Sequence, residues 1–160
     1  MILDSSLTKS LLMTDLFKER GRAHHNFHDS YAEGCQILIN VISSNSYIRP
    51  HRHLIANKKE YLFAIEGEFA FLEFNDNGDI SKLRYLTSEK YSRKNSSAYG
   101  VQVEPSTWHT VISLLPKSTI LEVKEGPFDP LCCKEFLSGT PEEKSINAQR
   151  YFDYLKSELV

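Results

Sequence analysis

At 160 residues, with 41% apolar side chains and a formal net charge of −2, the chain is sized and composed for one ordered globular domain with its own core. No block of lysine and arginine stands out, which argues against a nucleic-acid partner. The longest apolar runs have the length of strands, which argues against a membrane span. The opening MILDSSLTKSLLMTDLFKER has neither the basic start nor the small-residue cleavage site of a signal peptide, so a cytoplasmic location is the expectation. The cysteines are Cys35, Cys132 and Cys133, an odd count without C-x-x-C spacing, and they read as reduced, buried or half-buried thiols.

In chain order, residues 5–20 place Leu7, Leu11, Leu12 and Leu16 at helical spacing, behind Asp4 or Ser5 as cap and before Gly21 as stop. A polar stretch with His24, His25 and His28 follows, read as exposed loop, pocket rim or second site. From Cys35 to Lys124 the period changes to that of short strands. CQILINVIS and YIRPHRH flank a Ser43–Ser46 turn, and EYLFAIEGEFAFLEF reads as a hairpin turning at Glu66-Gly67-Glu68. Asn75-Asp76-Asn77-Gly78-Asp79 is a turn into ISKLRYLT. It lacks the bidentate glutamate of a calcium loop. SAYGVQVE, WHTVISLL and STILEVKE complete the strands, punctuated by Pro105 and Pro116. Thr140-Pro141-Glu142-Glu143 reads as a capping box opening a last helix, whose apolar stripe is Ala148, Tyr151, Phe152, Leu155 and Leu159. The predicted organisation is one domain, 1–160: an N-terminal helix and polar loop (1–34), a β-barrel or sandwich (35–128) and a C-terminal extension with a helix (129–160).

Pro50-His51-Arg52-His53 carries the chemistry. On a strand, alternation sends His51 and His53 to one face, where two imidazoles form a metal-binding pair. Glu60 opens the next strand, and Trp108-His109 begins a later one. Three imidazoles and a carboxylate suit one divalent transition ion such as Zn, Fe, Mn, Ni or Co. Tyr47 and Arg49 share strand parity with His51, so both are candidates to face the interior as substrate-binding groups. An arginine there binds a carboxylate or phosphate bidentately, or else pairs with a surface acid at the barrel mouth. Gln36 and Asn40 lie on one face of an early strand, as a polar cavity wall requires. There is no Gly-rich phosphate loop and no nucleophile elbow.

The order H-x-H, E-x6-G and a later P…H on a β background resembles the cupin superfamily. Within it, RxHHNFH near the start, YIRPHRH, KxEYLFAIEG, EPSTWHT, EVKEGPF and a late helix resemble the WbuC family of cupin-fold metalloproteins over nearly the whole chain. That resemblance implies a cupin (double-stranded β-helix, jelly-roll) barrel with helices at both ends. It also implies metal ligands His51, His53, Glu60 and His109, and a setting in surface-polysaccharide metabolism. It brings Arg22, Asn26 and His28 to the pocket, and makes Glu122 a candidate for a group behind the ligands or for general acid/base work, with a cross-strand ion pair as the alternative. Six residues, Leu54–Lys59, separate His53 from Glu60, more than the superfamily usually has. Pro105 stands one residue closer to His109 than usual, and Ser113 replaces a frequent asparagine. Glu60 is therefore either a fourth ligand or an acceptor behind three histidines.

Two classes of function follow. One is a metal-dependent enzyme on a sugar or sugar nucleotide, of isomerase or epimerase type, or an Fe(II) dioxygenase. The other is a non-enzymatic, metal-dependent carbohydrate-binding or regulatory module. A homodimer is expected, because a partner subunit covers exposed sheet edges.

Overall fold

The computed structural model describes residues 2–53, 58–88, 97–129 and 134–159. Cys132 and Cys133, and most of the segment between His53 and Glu60, lie outside the described residues.

Asp4 caps the first helix as the sequence predicts, its carboxylate accepting from the backbone N–H groups of Ser6 and Leu7. The helix is not continuous, however. α1 (Ser5–Leu12) ends and α2 (Asp15–Arg20) begins at Thr14. The Thr14 hydroxyl donates to the Leu11 carbonyl at 2.7 Å and accepts from Phe17 N–H at 3.3 Å, so one side chain closes one helix and caps the next. The break rotates the stripe. Leu7, Leu11 and Leu12 pack on Ala23, Ile39 and Val41, while Leu16 turns outward. Gly21 closes α2 at φ +66°.

Strand β1 (Arg22–Asn26) leaves Gly21 directly, in the stretch read as a polar loop, and pairs with β2 (Cys35–Ile42). Then come β3 (His51–Arg52), β4 (Glu60–Glu66), β5 (Glu68–Phe74), β6 (Ile80–Thr87), β7 (Gly100–Val103), β8 (Trp108–Ser113), β9 (Ser118–Glu125), β10 (Glu135–Phe136) and α3 (Ala148–Ser157). They form two antiparallel five-stranded sheets, ordered β1-β2-β9-β4-β7 and β10-β3-β8-β5-β6. This is the predicted mainly-β jelly roll with flanking helices.

The Glu66-Gly67-Glu68 turn is not a hairpin. β4 pairs with β7 and β9, whereas β5 pairs with β6 and β8 in the other sheet, so Gly67 is a corner between sheets. Gly67 sits at φ +85°, and a Cβ there would collide with Ser118. The Asn75–Asp79 turn does join a hairpin, β5 to β6.

The core has three layers. Between the sheets, Ile42, Leu62 and Ile120 meet Phe69, Phe71, Leu86 and Val111. Outside the second sheet, Ala70, Leu72, Phe74 and Trp108 pack under Phe152 and Leu155 of α3. β5 is thus covered on both faces, which explains its continuous apolar run. The stripe on α3 is as predicted, but its start is not. Asn147 precedes the helix without a side-chain cap bond. Thr140 and Glu143 are engaged elsewhere: Thr140 accepts from Arg49 Nε at 3.0 Å, and Glu143 holds Arg22 at 2.6 Å.

Candidate metal centre and its cavity

His51 and His109 are direct cross-strand partners on β3 and β8, and His53 follows two residues beyond His51. The ring centroids are 4.7 Å apart for His51–His109, 5.4 Å for His51–His53 and 5.6 Å for His53–His109. One ring nitrogen from each lies within 4.8 Å of the others. His51 Nδ1 donates to the Arg49 carbonyl at 2.9 Å, and His109 Nδ1 to the Thr107 carbonyl at 2.8 Å. A carbonyl only accepts, so both rings carry their proton on Nδ1 and leave the Nε2 lone pair free for a ligand bond. Phe71 stacks on His109 at 5.9 Å from inside the core. Burial, then the positive charge of Lys134 and the neighbouring histidines, pushes His51 well below the ordinary histidine value, so it is neutral.

Glu60, the first residue of β4, reaches the imidazoles from the opposite sheet. Its Oε2 lies 3.0 Å from His53 Nε2 and 3.3 Å from His109 Nε2. Two donors each about 2.1 Å from one ion lie roughly 3.0–3.4 Å apart. The donor set therefore fits: His51, His53, His109 and Glu60 could hold one divalent metal ion. Glu60 stands in line with the histidines, and the longer spacing before it does not displace it.

Behind Glu60 stands Glu122 on β9, whose backbone pairs with Leu62 of β4. Burial, then the negative charge of Glu60, raises the Glu122 pKa. Burial would also raise Glu60, but the imidazoles of His109 and His53 against its Oε2 outweigh it and hold Glu60 well below the usual carboxylate range. Of the two carboxyls, Glu122 is the one pushed towards its protonated form. Asn40 donates to Glu122 at 3.1 Å, and Lys124 pairs with its other oxygen.

The centre opens into a cavity of about 390 Å³ between the sheets. Gln36, Leu38, Asn40 and Ile42 line it from β2, alternating as the sequence predicts. Gln36 is fully buried; its amide donates to the carbonyls of Ser30, Tyr31 and Glu33, and its Oε1 has no partner. His28 leans Nδ1 on the Ile37 backbone at 3.0 Å, and its Nε2 is buried in the same wall without a partner. His24 lies at the cavity mouth; His25 does not line the cavity and packs on Phe27.

Arg49 lines the cavity, without the surface acid considered for it: its Nε donates to Thr140 and its guanidinium lies 4.7 Å over the Phe136 ring. Tyr47 does not line the cavity. Residues 45–50 are irregular rather than a strand, so the parity inference fails there. Tyr47 is buried under α3 against Phe152, and its hydroxyl donates to the Pro141 carbonyl at 3.1 Å. Sequence reasoning missed Lys134 and Phe136, which stand just before and within β10, a strand too short for alternation to reveal.

No helix among the described residues is long and apolar enough to cross a membrane. Residues 3–86 match the model of a family described as a domain of unknown function, DUF6016. No curated protein matches. Solved structures of similar shape include protein SO0799 from Shewanella oneidensis, with 9% identity and a TM-score of 0.57 over 78% of this chain and 83% of that one. The capsular polysaccharide assembling protein CapF from Staphylococcus aureus is similar at 19% identity and a TM-score of 0.56, over 71% of this chain and 31% of that one. KdgF from Halomonas sp. is similar at 13% identity and a TM-score of 0.52, over 69% and 84%. At these identities the likeness is one of fold, and the fold is the cupin jelly roll.

Proposed function

For this chain, which belongs to the DUF6016 family of unknown function, we propose a metal-dependent enzymatic activity on a small polar metabolite of carbohydrate type. One observation carries this reading: His51, His109 and Glu60, three of the four candidate ligands, line a cavity of about 390 Å³, a small-molecule volume, together with Gln36, Asn40 and Glu122. A purely structural ion would have no use for that space. The carbohydrate setting is supported by the likeness in fold to a capsular polysaccharide assembling protein and by the WbuC-like motifs RxHHNFH, YIRPHRH and EVKEGPF.

A divalent ion bound by these residues supplies Lewis acidity towards a ligand oxygen. The chain's own contribution is proton handling. Burial and the charge of Glu60 raise the Glu122 pKa, which makes it the more basic carboxyl of the two, while Asn40 and Lys124 fix its two oxygens. A protonated carboxyl in that position donates to a ligand oxygen and, once ionised, takes a proton from a neighbouring carbon, as isomerisation or epimerisation next to a carbonyl requires.

The test is to load the protein separately with Zn, Fe, Mn, Ni and Co and incubate it with sugars and sugar nucleotides in D2O. The expected result is deuterium incorporation into one substrate, abolished by Glu122→Gln with metal content retained. A protein that binds a sugar yet exchanges no hydrogen and forms no product is a binding module instead. Oxygen consumption by the iron form alone would make it a dioxygenase.

A further inference from the structure

The cations around the cavity are not evenly matched. Arg20, Arg22, Arg49, Lys124 and Lys134 line it, against the carboxylates Glu60, Glu122 and Glu143. Each carboxylate is already taken. Glu143 holds Arg22 at 2.6 Å and Arg20 at 3.2 Å, Glu122 pairs with Lys124, and Glu60 faces the imidazoles. Arg49 and Lys134 remain, and neither has a carboxylate within 4.0 Å among the described residues.

These two cations line the same cavity. In the antiparallel register Lys134 falls at the His53 end of the β3–β10 pair and Arg49 at the other end, and Phe136, opposite His51, stands between them with its ring beneath the Arg49 guanidinium. The Arg49 head is held in position by the Thr140 hydroxyl on Nε and by the Phe136 ring beneath it. Its terminal N–H groups have no protein acceptor among the described residues, in the planar fork that matches two oxygens of one anion. An arginine held this firmly has lost its rotamer freedom before any ligand arrives, which strengthens binding.

We propose that Arg49 and Lys134 form an oxyanion subsite beside the metal centre, so that the ligand is a compact polar molecule carrying a carboxylate or phosphoryl group. This specifies the substrate class of the proposed function and rests on that reading only for the neighbouring metal. Arg49 binds the anion through its fork, and Lys134 adds a second positive charge from the rim.

The test is calorimetric binding of glucuronate, glucose 6-phosphate and glucose to zinc-loaded and to metal-free protein. Both anions, or one of them, should bind at least tenfold more tightly than glucose. Preference for glucuronate identifies a carboxylate ligand, and preference for glucose 6-phosphate a phosphoryl one. Arg49→Gln should remove most of that preference, Arg49→Lys should restore part of it, and the exposed Lys134→Ala should weaken anion binding about threefold, the size of one screened charge contact. Zinc content measured in parallel separates a lost subsite from a lost metal. If the protein takes up no zinc, the metal reading fails, and the anion preference of the metal-free protein still decides the subsite. Glucose binding as tightly as both anions, or Arg49→Gln leaving the preference intact, overturns the proposal.

Discussion

The space between the two sheets has two unlike halves. One is filled by Phe69, Phe71, Leu86, Ile120 and their neighbours, all close to fully buried. The other is open, lined by Gln36, Asn40, Glu122, His51 and His109. The same strands run through both. β9 contributes Ile120 to the plug and Glu122 to the cavity, and β4 contributes Ala64 to the plug and Glu60 to the cavity. Packing in one half makes the frame stiff enough for the other to keep polar groups dry. Within the open half the chemistry is divided too. The second sheet and the backbone beside it supply the imidazoles, and the first sheet supplies the carboxylates. A metal ion held there would tie one sheet to the other.

This contrast can be broken from either side. Phe69→Ala, in the plug, should cost about 3–5 kcal/mol in chemical denaturation, as truncation of a fully buried Phe does. The folded fraction should still bind metal one to one. His109→Ala, in the open half, should do the reverse. Metal affinity by chelator competition should fall beyond the roughly 100-fold limit typical of an outer-shell residue, while metal-free stability changes little by comparison. Glu60→Ala should likewise reduce metal affinity beyond about 100-fold, and a loss of only about 10–100-fold would make Glu60 an acceptor behind the histidines rather than a ligand.

The pH dependence sharpens the same contrast. His51 is depressed in the folded chain, chiefly by burial, so its contribution to stability is full above its unfolded value of 6.5 and is lost as pH falls from there towards the folded value. Glu122 acts oppositely: its raised pKa costs stability as pH climbs above 4.5. Metal-free protein should therefore melt at lower temperature as pH drops from 7 to 5.5, and His51→Asn should flatten that slope. The smallest effect belongs outside the cavity. Tyr47→Phe removes one hydrogen bond to the Pro141 carbonyl and should cost about 1 kcal/mol, with metal affinity unchanged.

What could be read from the sequence followed from local periodicity. His51 and His53 share a face because they are two residues apart, and Gln36 and Asn40 share one because they are four apart on a strand. The Asn75–Asp79 turn and the stripe on α3 are equally local. Where a residue had rival partners, the pattern misled. Thr140 and Glu143 have the spacing of a capping box, yet Arg49 and Arg22 claim them first. Gly67 has the sequence of a hairpin, yet the strands on either side find better partners in different sheets. Tyr47 has the parity of a cavity residue on a segment that is not a strand. Lys134 and Phe136 reach the cavity only because β10 pairs with β3 across more than 80 residues of chain, a contact with no local signal.

Arg49 contributes to both halves of the proposed chemistry. Its carbonyl orients His51 at 2.9 Å, while its side chain points its donors into the cavity. A pull on the guanidinium is therefore a pull on a metal ligand, transmitted through a single residue. In cobalt-loaded protein, an anion captured by Arg49 would register as a shift in the ligand-field bands without touching the ion. The protein would thus contain its own optical reporter of substrate capture.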